Sequence, residues 1–124
     1  MKKLLLLCSL ALGICLSISC TKDNDNTDKI VGTWGNDSSY SFNGGEEQTS
    51  RDQWIFKNDN TGNYTEYSNG VKDYESAFTW SKEDNLYKVF YVEDEGSFDT
   101  FTIENQAGYT TLADSQGYLV AIKE

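Results

Sequence analysis

Ile30-Val31-Gly32-Thr33-Trp34 is the stretch around which the rest of the chain is organised. It follows a polar segment, and the residues after it form short alternating stretches typical of β-strands. Its glycine allows a second backbone to come close, and its tryptophan supplies a large flat side chain for one end of a core. We therefore interpret this stretch as the first strand of an all-β domain.

The rest of the chain predicts seven further strands, because apolar and polar residues alternate in short stretches separated by polar turns. The alternation is clearest from Tyr74 to Trp80, where every second side chain shares one face. Asn69-Gly70 is typical of a tight hairpin turn, since both residues accept positive φ at low cost. Residues 36–50 are rich in Ser, Asn, Gly and Glu and predict a long loop, although the alternating Tyr40 and Phe42 are also consistent with a flap or an extended strand. The predicted strands cover residues 30–35, 51–57, 63–67, 74–80, 86–92, 98–104, 109–113 and 118–123.

Eight short strands joined by short turns predict antiparallel neighbours, and such a meander can close into a barrel without exposed edges. We therefore expect an all-β, eight-stranded antiparallel up-and-down barrel over residues 30–124. No stretch after Cys20 has helical periodicity. The strand from Leu86 to Val92 is apolar on both faces, and we assign Phe90 to the face that points into the barrel.

The N-terminal residues predict a secretory signal over residues 1–19. Lys2 and Lys3 precede an apolar run from Leu4 to Leu16, which is too short to span a bilayer. The run leads through small residues to Cys20, and this ending resembles the cleavage site of bacterial lipoproteins. The resemblance implies cleavage before Cys20 and attachment of a diacylglycerol to its thiol.

The distribution of cysteines is consistent with a lipoprotein. Cys8 and Cys15 lie within the signal, so the mature chain keeps Cys20 alone and has no intrachain disulfide. The alternative is a spare thiol beside an ordinary signal peptide. The residues that follow, up to Lys29, include no apolar residue to bury and predict a solvated tether, so that residues 20–29 link the lipid to the domain.

The acidic residues after the cysteine resemble the export signal of surface-displayed lipoproteins in some Gram-negative anaerobes, although a plain linker would also be polar. We therefore expect a monomer held to the outer membrane by its N-terminal lipid. We expect it to be exposed at the cell surface, and an orientation that faces the periplasm stays open.

Several motifs follow one another along the domain in an order that is similar to lipocalins. Gly32-Thr33-Trp34 resembles the first-strand Gly-x-Trp, and Phe56 to Gly62 resembles the Phe-x-x-Asp-x-Thr-Gly turn of that family. Phe78-Thr79-Trp80 resembles the Phe-x-Trp strand. Phe101 to Glu104, followed by Thr111-Leu112, resembles the penultimate hairpin, and Tyr118 to Lys123 resembles the closing strand. The chain thus resembles the small lipocalin-like domains of bacterial lipoproteins.

The resemblance implies a barrel that can bind a small apolar molecule. In lipocalins a basic residue near the C-terminus lies over the first-strand tryptophan, and Lys123 is the candidate in this chain. It replaces the commoner arginine, and with Gly32 and Trp34 it would form a motif that closes the barrel. A lysine over Trp34 would contribute about 0.5–1 kcal/mol of cation–π energy.

Composition argues against several classes of function. The chain has ten basic and twenty acidic residues, and its net charge of −10 makes nucleic acid a poor partner. It has no His and no Gly-x-Ser-x-Gly motif, so we expect neither an enzyme nor a cofactor. Asp23, Asp25 and Asp28 are spaced like oxygen ligands but lack the glycine and closing glutamate of an EF-hand loop. Glu93 to Glu95 could hold a cation only loosely, and solvated charge explains both groups, so we expect no metal site.

Aromatic residues are the remaining candidates for a binding site. They either fill the barrel as a core, or line a cavity for an apolar ligand that a tyrosine hydroxyl orients. Those expected to face the interior are Trp54, Phe56, Tyr64, Phe78, Trp80 and Phe90.

We therefore predict a domain that binds a small hydrophobic or aromatic ligand in its barrel. One alternative is a protein- or glycan-binding surface domain, of the adhesin or protease-inhibitor type. Its barrel would be filled, and residues 36–50 would form the contact. The other alternative is a structural domain without a ligand.

Overall fold

The computed structural model describes residues 27–124, which form eight β-strands. The predicted signal segment, Cys20, Asp23 and Asp25 lie outside the described residues. The strands are β1 (Gly32–Tyr40), β2 (Gln48–Phe56), β3 (Thr61–Ser68), β4 (Val71–Glu83), β5 (Leu86–Tyr91), β6 (Phe98–Gln106), β7 (Tyr109–Ala113) and β8 (Leu119–Lys123).

Each strand is antiparallel to the next along the chain, and β8 pairs with β1, so the strands form a closed up-and-down ring. This confirms the predicted all-β architecture and the predicted number of strands. The ring closes over a short seam, where Trp34 lies opposite Lys123 and Gly35 lies opposite Ile122. Among the described residues, no helix has the length and apolarity needed to cross a membrane.

One end of the ring is covered by the N-terminal segment, residues 28–31, and is called the closed end below. The Ile30 side chain is fully buried, and its carbonyl accepts a hydrogen bond of 2.7 Å from Trp34 Nε1. Asp28 accepts a hydrogen bond of 2.6 Å from the hydroxyl of Tyr87 in β5, four strands away around the ring from β1. The segment therefore crosses the ring and fixes where β1 begins.

Lys123 completes this end in the arrangement expected from the sequence. Its Nζ lies 5.4 Å from the centre of the Trp34 ring and donates a hydrogen bond of 2.7 Å to the Lys29 carbonyl. Gly32 lies beneath the same side chain, because a Cβ at this position would come within 3.2 Å of the Lys123 Cε. The three residues thus pack together where β1 and β8 meet.

The half of the ring next to the closed end is filled by its own side chains. Phe56 and Phe78 pack with their ring centres 4.9 Å apart, and Trp80 lies 6.2 Å from Phe56. The buried cluster consists of Ile30, Trp34, Trp54, Phe56, Phe78, Trp80, Tyr87, Val89, Phe101, Leu112 and Ala121.

The prediction of a long loop over residues 36–50 is wrong. β1 runs on to Tyr40 and β2 begins at Gln48, so only residues 41–47 connect them. Ser38 lies opposite Ser50, and their hydroxyls hydrogen-bond at 2.5 Å. These parts of both strands are largely solvent-exposed, so neither face needs the apolar alternation that identifies a strand in a sequence.

The assignment of Phe90 to the interior is also wrong. Val89 is fully buried and lies opposite Trp80 of β4, whereas Phe90 is 42% exposed and lies opposite Thr79. Pairing with β4 decides which face of β5 points inward, because residues directly opposite each other share a face of the sheet. The apolar side chains on both faces of β5 concealed this choice.

Candidate functional site

A cavity of about 430 Å³ occupies the end of the ring opposite the closed end, and is called the open-end cavity below. The ends of β3 and β5, the start of β4 and the connection from β5 to β6 surround it. Its volume lies within the range of about 300–1,000 Å³ that is common for small-molecule sites. The lining residues are Trp54, Tyr64, Glu66, Tyr74, Tyr91, Asp94, Ser97 and Asp99.

Aromatic rings form much of the wall, and they are held edge to face or tilted against one another. Trp54, at 6% exposure, is nearly buried and packs edge-on against Phe101 of the core. The Tyr64 ring lies 4.9 Å from Trp54, 5.6 Å from Tyr91 and 6.2 Å from Tyr74, measured between ring centres. Tyr64 is therefore the central member of the aromatic wall.

One side of the cavity contains a chain of three hydrogen-bonded side chains. Trp54 Nε1 donates to the Tyr91 hydroxyl at 3.0 Å, and that hydroxyl donates to Asp99 Oδ2 at 2.7 Å. Burial raises the pKa of Tyr91, and the carboxylate of Asp99 raises it further, which outweighs the opposite effect of the Trp54 hydrogen bond. Tyr91 therefore stays protonated at neutral pH and keeps the indole of Trp54 in one orientation.

The other side contains two carboxylates that share a single hydroxyl. Tyr64 Oη lies 2.8 Å from Glu66 Oε1 and 3.3 Å from Asp52 Oδ1. Asp52 and Glu66 are directly opposite each other in β2 and β3, an arrangement that is unfavourable for like charges. A tyrosine hydroxyl has one proton, so it cannot donate full hydrogen bonds to both carboxylates.

The pKa values of these groups follow from that arrangement. Burial raises the pKa of Asp52, the hydrogen bond from Tyr64 partly offsets the rise, and the charge of Glu66 adds to it. Burial also raises the pKa of Tyr64, and the two neighbouring carboxylates raise it further. The Tyr64 hydroxyl therefore stays neutral and acts as a donor.

The structure places only some of the ligand-binding residues predicted from the sequence at this cavity. Trp54 and Tyr64 line it, as a ligand-binding role would require. Three others are buried in the filled half of the ring, and Phe90 is on the outer surface. The three in the filled half are Phe56, Phe78 and Trp80.

Several cavity residues were missed, although a signal for two of them was present. Asp52 and Glu66 each stand two positions from a predicted inward aromatic, Trp54 and Tyr64, so period-two alternation places them on the same face. Tyr91 was missed because the inward face of β5 was assigned wrongly. Asp99 comes close through the pairing of β5 with β6, which local sequence patterns do not reveal.

Two larger clefts are also present in the structure. One, of about 500 Å³, involves Arg51 and Gln53, which alternate with the inward-facing Trp54 and therefore lie on the outside of the ring. The other, of about 960 Å³, surrounds the N-terminal segment at the closed end, with Asp28 and Lys82 among its residues. The first lies outside the ring, whereas the second borders the closed end and includes the core residue Tyr87 in its lining. The open-end cavity lies at the opposite end of the ring.

Metal ligation has no support in the described part of the chain, because no three His, Cys, Asp or Glu side chains there converge in a way that could hold an ion. Asp28 is instead engaged with Tyr87 and Lys82. Glu93 to Glu95 lie exposed in the connection from β5 to β6.

Comparison with protein-family models, with curated proteins and with solved structures gives no match to this chain. The resemblance to lipocalins therefore stays a prediction from the sequence.

Proposed function

We propose that this protein is a lipid-anchored, lipocalin-like lipoprotein that binds a small hydrophobic or aromatic ligand in the open-end cavity. The observation that carries the proposal is the cavity itself, an aromatic-walled space inside a ring whose other half is solid. A ring that served only as a scaffold would have no need to keep the half-buried Tyr64 and the exposed Tyr74 beside an open space, because burying them would stabilise it.

The N-terminal segment is compatible with the proposed anchor. Asp28, at the closed end, stands eight positions after the cysteine that the sequence predicts to be lipidated. The open-end cavity is at the other end of the ring. A protein anchored through Cys20 would thus have its binding site directed away from the lipid, accessible from the surrounding solution.

Binding fits the cavity better than catalysis. Tyr64 and Tyr91 have raised pKa values and are poor proton donors at neutral pH, and the chain has no His to exchange protons there. Trp54, Tyr91 and Asp99 hold one another in a fixed geometry, which is what selective binding of a small molecule requires.

Native mass spectrometry and fluorescence titration together test the proposal. We expect the full chain, purified from bacterial membranes in a non-ionic detergent, to retain a small molecule or to bind the neutral dye N-phenyl-1-naphthylamine with quenching of tryptophan emission. Tyr74→Ala should weaken dye binding about fivefold, because it removes one aromatic wall of the cavity.

The matched control for this experiment is Tyr40→Ala. Tyr40 is also an exposed tyrosine near the open end, but it is not among the residues that line the cavity. Equal effects of the two substitutions, or a protein that neither retains a molecule nor binds the dye, would show that the cavity is not a ligand site.

A second candidate function, binding of a protein or a glycan, is favoured by one feature of the outer surface. Phe90 and Phe98 lie opposite each other on β5 and β6, with ring centres 5.7 Å apart and exposures of 42% and 50%. Lys88 Nζ lies 4.3 Å from the centre of the Phe98 ring. A sugar or a side chain could stack on this pair.

The double substitution Phe90→Ser, Phe98→Ser tests this candidate in a glycan-array and cell-binding assay. A partner that binds the wild type and not this variant would support the surface function. Binding that survives the double substitution and is lost in Tyr74→Ala would assign the interaction to the cavity instead.

A further inference from the structure

We infer that the open-end cavity selects a small organic cation, an alkylammonium or quaternary ammonium compound, through its carboxylates and aromatic faces. The inference rests on the proposed ligand-binding function and narrows it, because the sequence alone predicted a ligand that is simply hydrophobic or aromatic.

The charge of the cavity is the first observation. Glu66, Asp94 and Asp99 line it, and Asp52 stands beside Glu66 at the Tyr64 hydroxyl. None of the lining residues is a lysine or an arginine. Glu66 is half-buried against the aromatic wall, which screens its charge less than open solvent would, whereas Asp94 and Asp99 are exposed. A neutral or anionic ligand would leave this negative charge uncompensated.

The arrangement of Asp52 and Glu66 is a second, independent observation. The two residues are directly opposed across β2 and β3, and a single Tyr64 proton lies between them. Both are partly buried, so their mutual repulsion is reduced less by solvent than it would be at the surface. Such a pair lowers the stability of the empty protein, and a positive charge bound next to it would remove that cost.

The aromatic wall supplies the third observation. Trp54, Tyr74 and Tyr91 surround Tyr64 at distances between ring centres of 4.9 to 6.2 Å from it. Tyr74, which is 39% exposed, is the ring of this wall most open to a ligand. A cation over an aromatic face is attracted by the negative charge of that face, and proteins recognise quaternary ammonium ligands in this way. The same rings would suit an organic cation better than a bare metal ion, which requires converging oxygen ligands that the described residues do not provide.

Pairs of probes that differ only in charge give the sharpest test. Choline and 3,3-dimethylbutan-1-ol have nearly the same shape, with a charged nitrogen in the first and a neutral carbon in the second. Phenethylammonium and 2-phenylethanol form a second pair with an aromatic ring. With the full chain in non-ionic detergent, we expect calorimetry to show at least about tenfold tighter binding of one cation than of its neutral counterpart.

Charge-neutralising substitutions locate the effect. Asp52→Asn and Glu66→Gln keep the shape of each side chain, and each should weaken cation binding about tenfold while changing binding of the neutral alcohol less than about twofold. The same variants should unfold in urea at an equal or higher concentration than the wild type, because they remove a repulsion. A loss of binding caused by misfolding would move the unfolding midpoint the other way.

Glu83→Gln is the matched control, since Glu83 is an exposed acid at the end of β4 next to the closed end. It should leave binding of both members of each pair unchanged. If the neutral probes bind as tightly as the cations, or if only the neutral probes bind, the inference is wrong but the proposed ligand-binding function still holds. If no cation, alcohol or naphthylamine dye binds, the proposed function and the inference both fail.

Discussion

Gly62 is the residue at which the ring has least room for a side chain. It is buried in β3 opposite Phe78, and a Cβ built on it would lie 2.3 Å from both the Ile55 carbonyl oxygen and the Phe78 ring. The glycine thus allows the Phe78 ring to approach the backbone closely, as glycine in a strand often does.

We predict that Gly62→Ala destabilises the protein by about 1–3 kcal/mol, because the added methyl group overpacks the filled half of the ring. Urea unfolding followed by tryptophan fluorescence measures the change. In an unobstructed strand the same substitution would raise stability by up to about 1 kcal/mol through the unfolded state. Stability equal to or above that of the wild type would therefore show that Phe78 does not pack against Gly62 as described.

Strand β5 shows the limit of what the sequence could predict about the elements. Alternation identified the inward faces of β2, β3 and β4, because most residues on their other faces are polar. In β5 both faces are apolar, and only the pairing of Val89 with Trp80 and of Phe90 with Thr79 decides between them. The exposed halves of β1 and β2 escaped prediction for the opposite reason, since both of their faces are polar.

Two substitutions that each add a hydroxyl test the orientation of β5. Val89→Thr keeps the volume of the side chain but buries a hydroxyl in the core, which we expect to cost about 1–3 kcal/mol. Phe90→Tyr adds its hydroxyl toward solvent and should change stability by less than about 0.5 kcal/mol. Chemical denaturation measures the free energy of unfolding of both variants. A larger loss of stability in Phe90→Tyr than in Val89→Thr would contradict the orientation of β5.

The N-terminal segment predicts a dependence of stability on acid pH. Burial raises the pKa of Asp28, but hydrogen bonds from the Ile30 amide, the Tyr87 hydroxyl and Lys82 outweigh it, so the pKa lies below its usual value. Because the pKa of Asp28 is lower in the folded state than in the unfolded state, its charged carboxylate stabilises the fold at pH values above the unfolded-state pKa of about 3.9. This stabilisation is lost as the pH falls through the lower pKa of the folded state.

We therefore expect Asp28→Asn to cost about 1–2 kcal/mol at pH 7 and progressively less below about pH 4. Urea unfolding of the two proteins at a series of pH values measures the difference. Asp73→Asn, which changes an exposed carboxylate at the start of β4, is the control and should give a small difference at pH 7. A cost of Asp28→Asn that stays constant from pH 7 to pH 3 would mean that the charge of Asp28 does not hold the segment.

At the scale of the whole molecule, the ring combines a solid half with an open one. The lipocalin-like motifs of the sequence lie mostly in the solid half, where Trp34, Phe78 and Trp80 are buried. Alternation also predicts part of the open-end cavity, since it places Trp54 and Tyr64 on inward faces. Tyr91 and Asp99 could not be predicted in this way, because the pairing of β5 with its neighbours decides where they lie.

The seam between β1 and β8 is where we expect the ring to open first. β1 pairs with β2 over nine residues but with β8 over only two, and the Glu124 amide adds one further hydrogen bond to the Thr33 carbonyl at 2.9 Å. A folded protein opens most readily where the fewest hydrogen bonds join neighbouring strands. An ion pair between Arg51 and Glu124 reaches across this seam from β2.

Native-state hydrogen exchange tests this expectation. Amides of residues 119–123 in β8 should exchange at least about tenfold faster than those of residues 61–67 in β3, which is paired along its length on both sides. Arg51→Met should speed exchange in β8 further, because it removes the ion pair that ties Glu124 to β2. Lys72→Met, which breaks an ion pair with Glu75 inside β4, should leave β8 unchanged. If β8 is as well protected as β3 and does not respond to Arg51→Met, the ring opens elsewhere, and the short seam is not its weakest point.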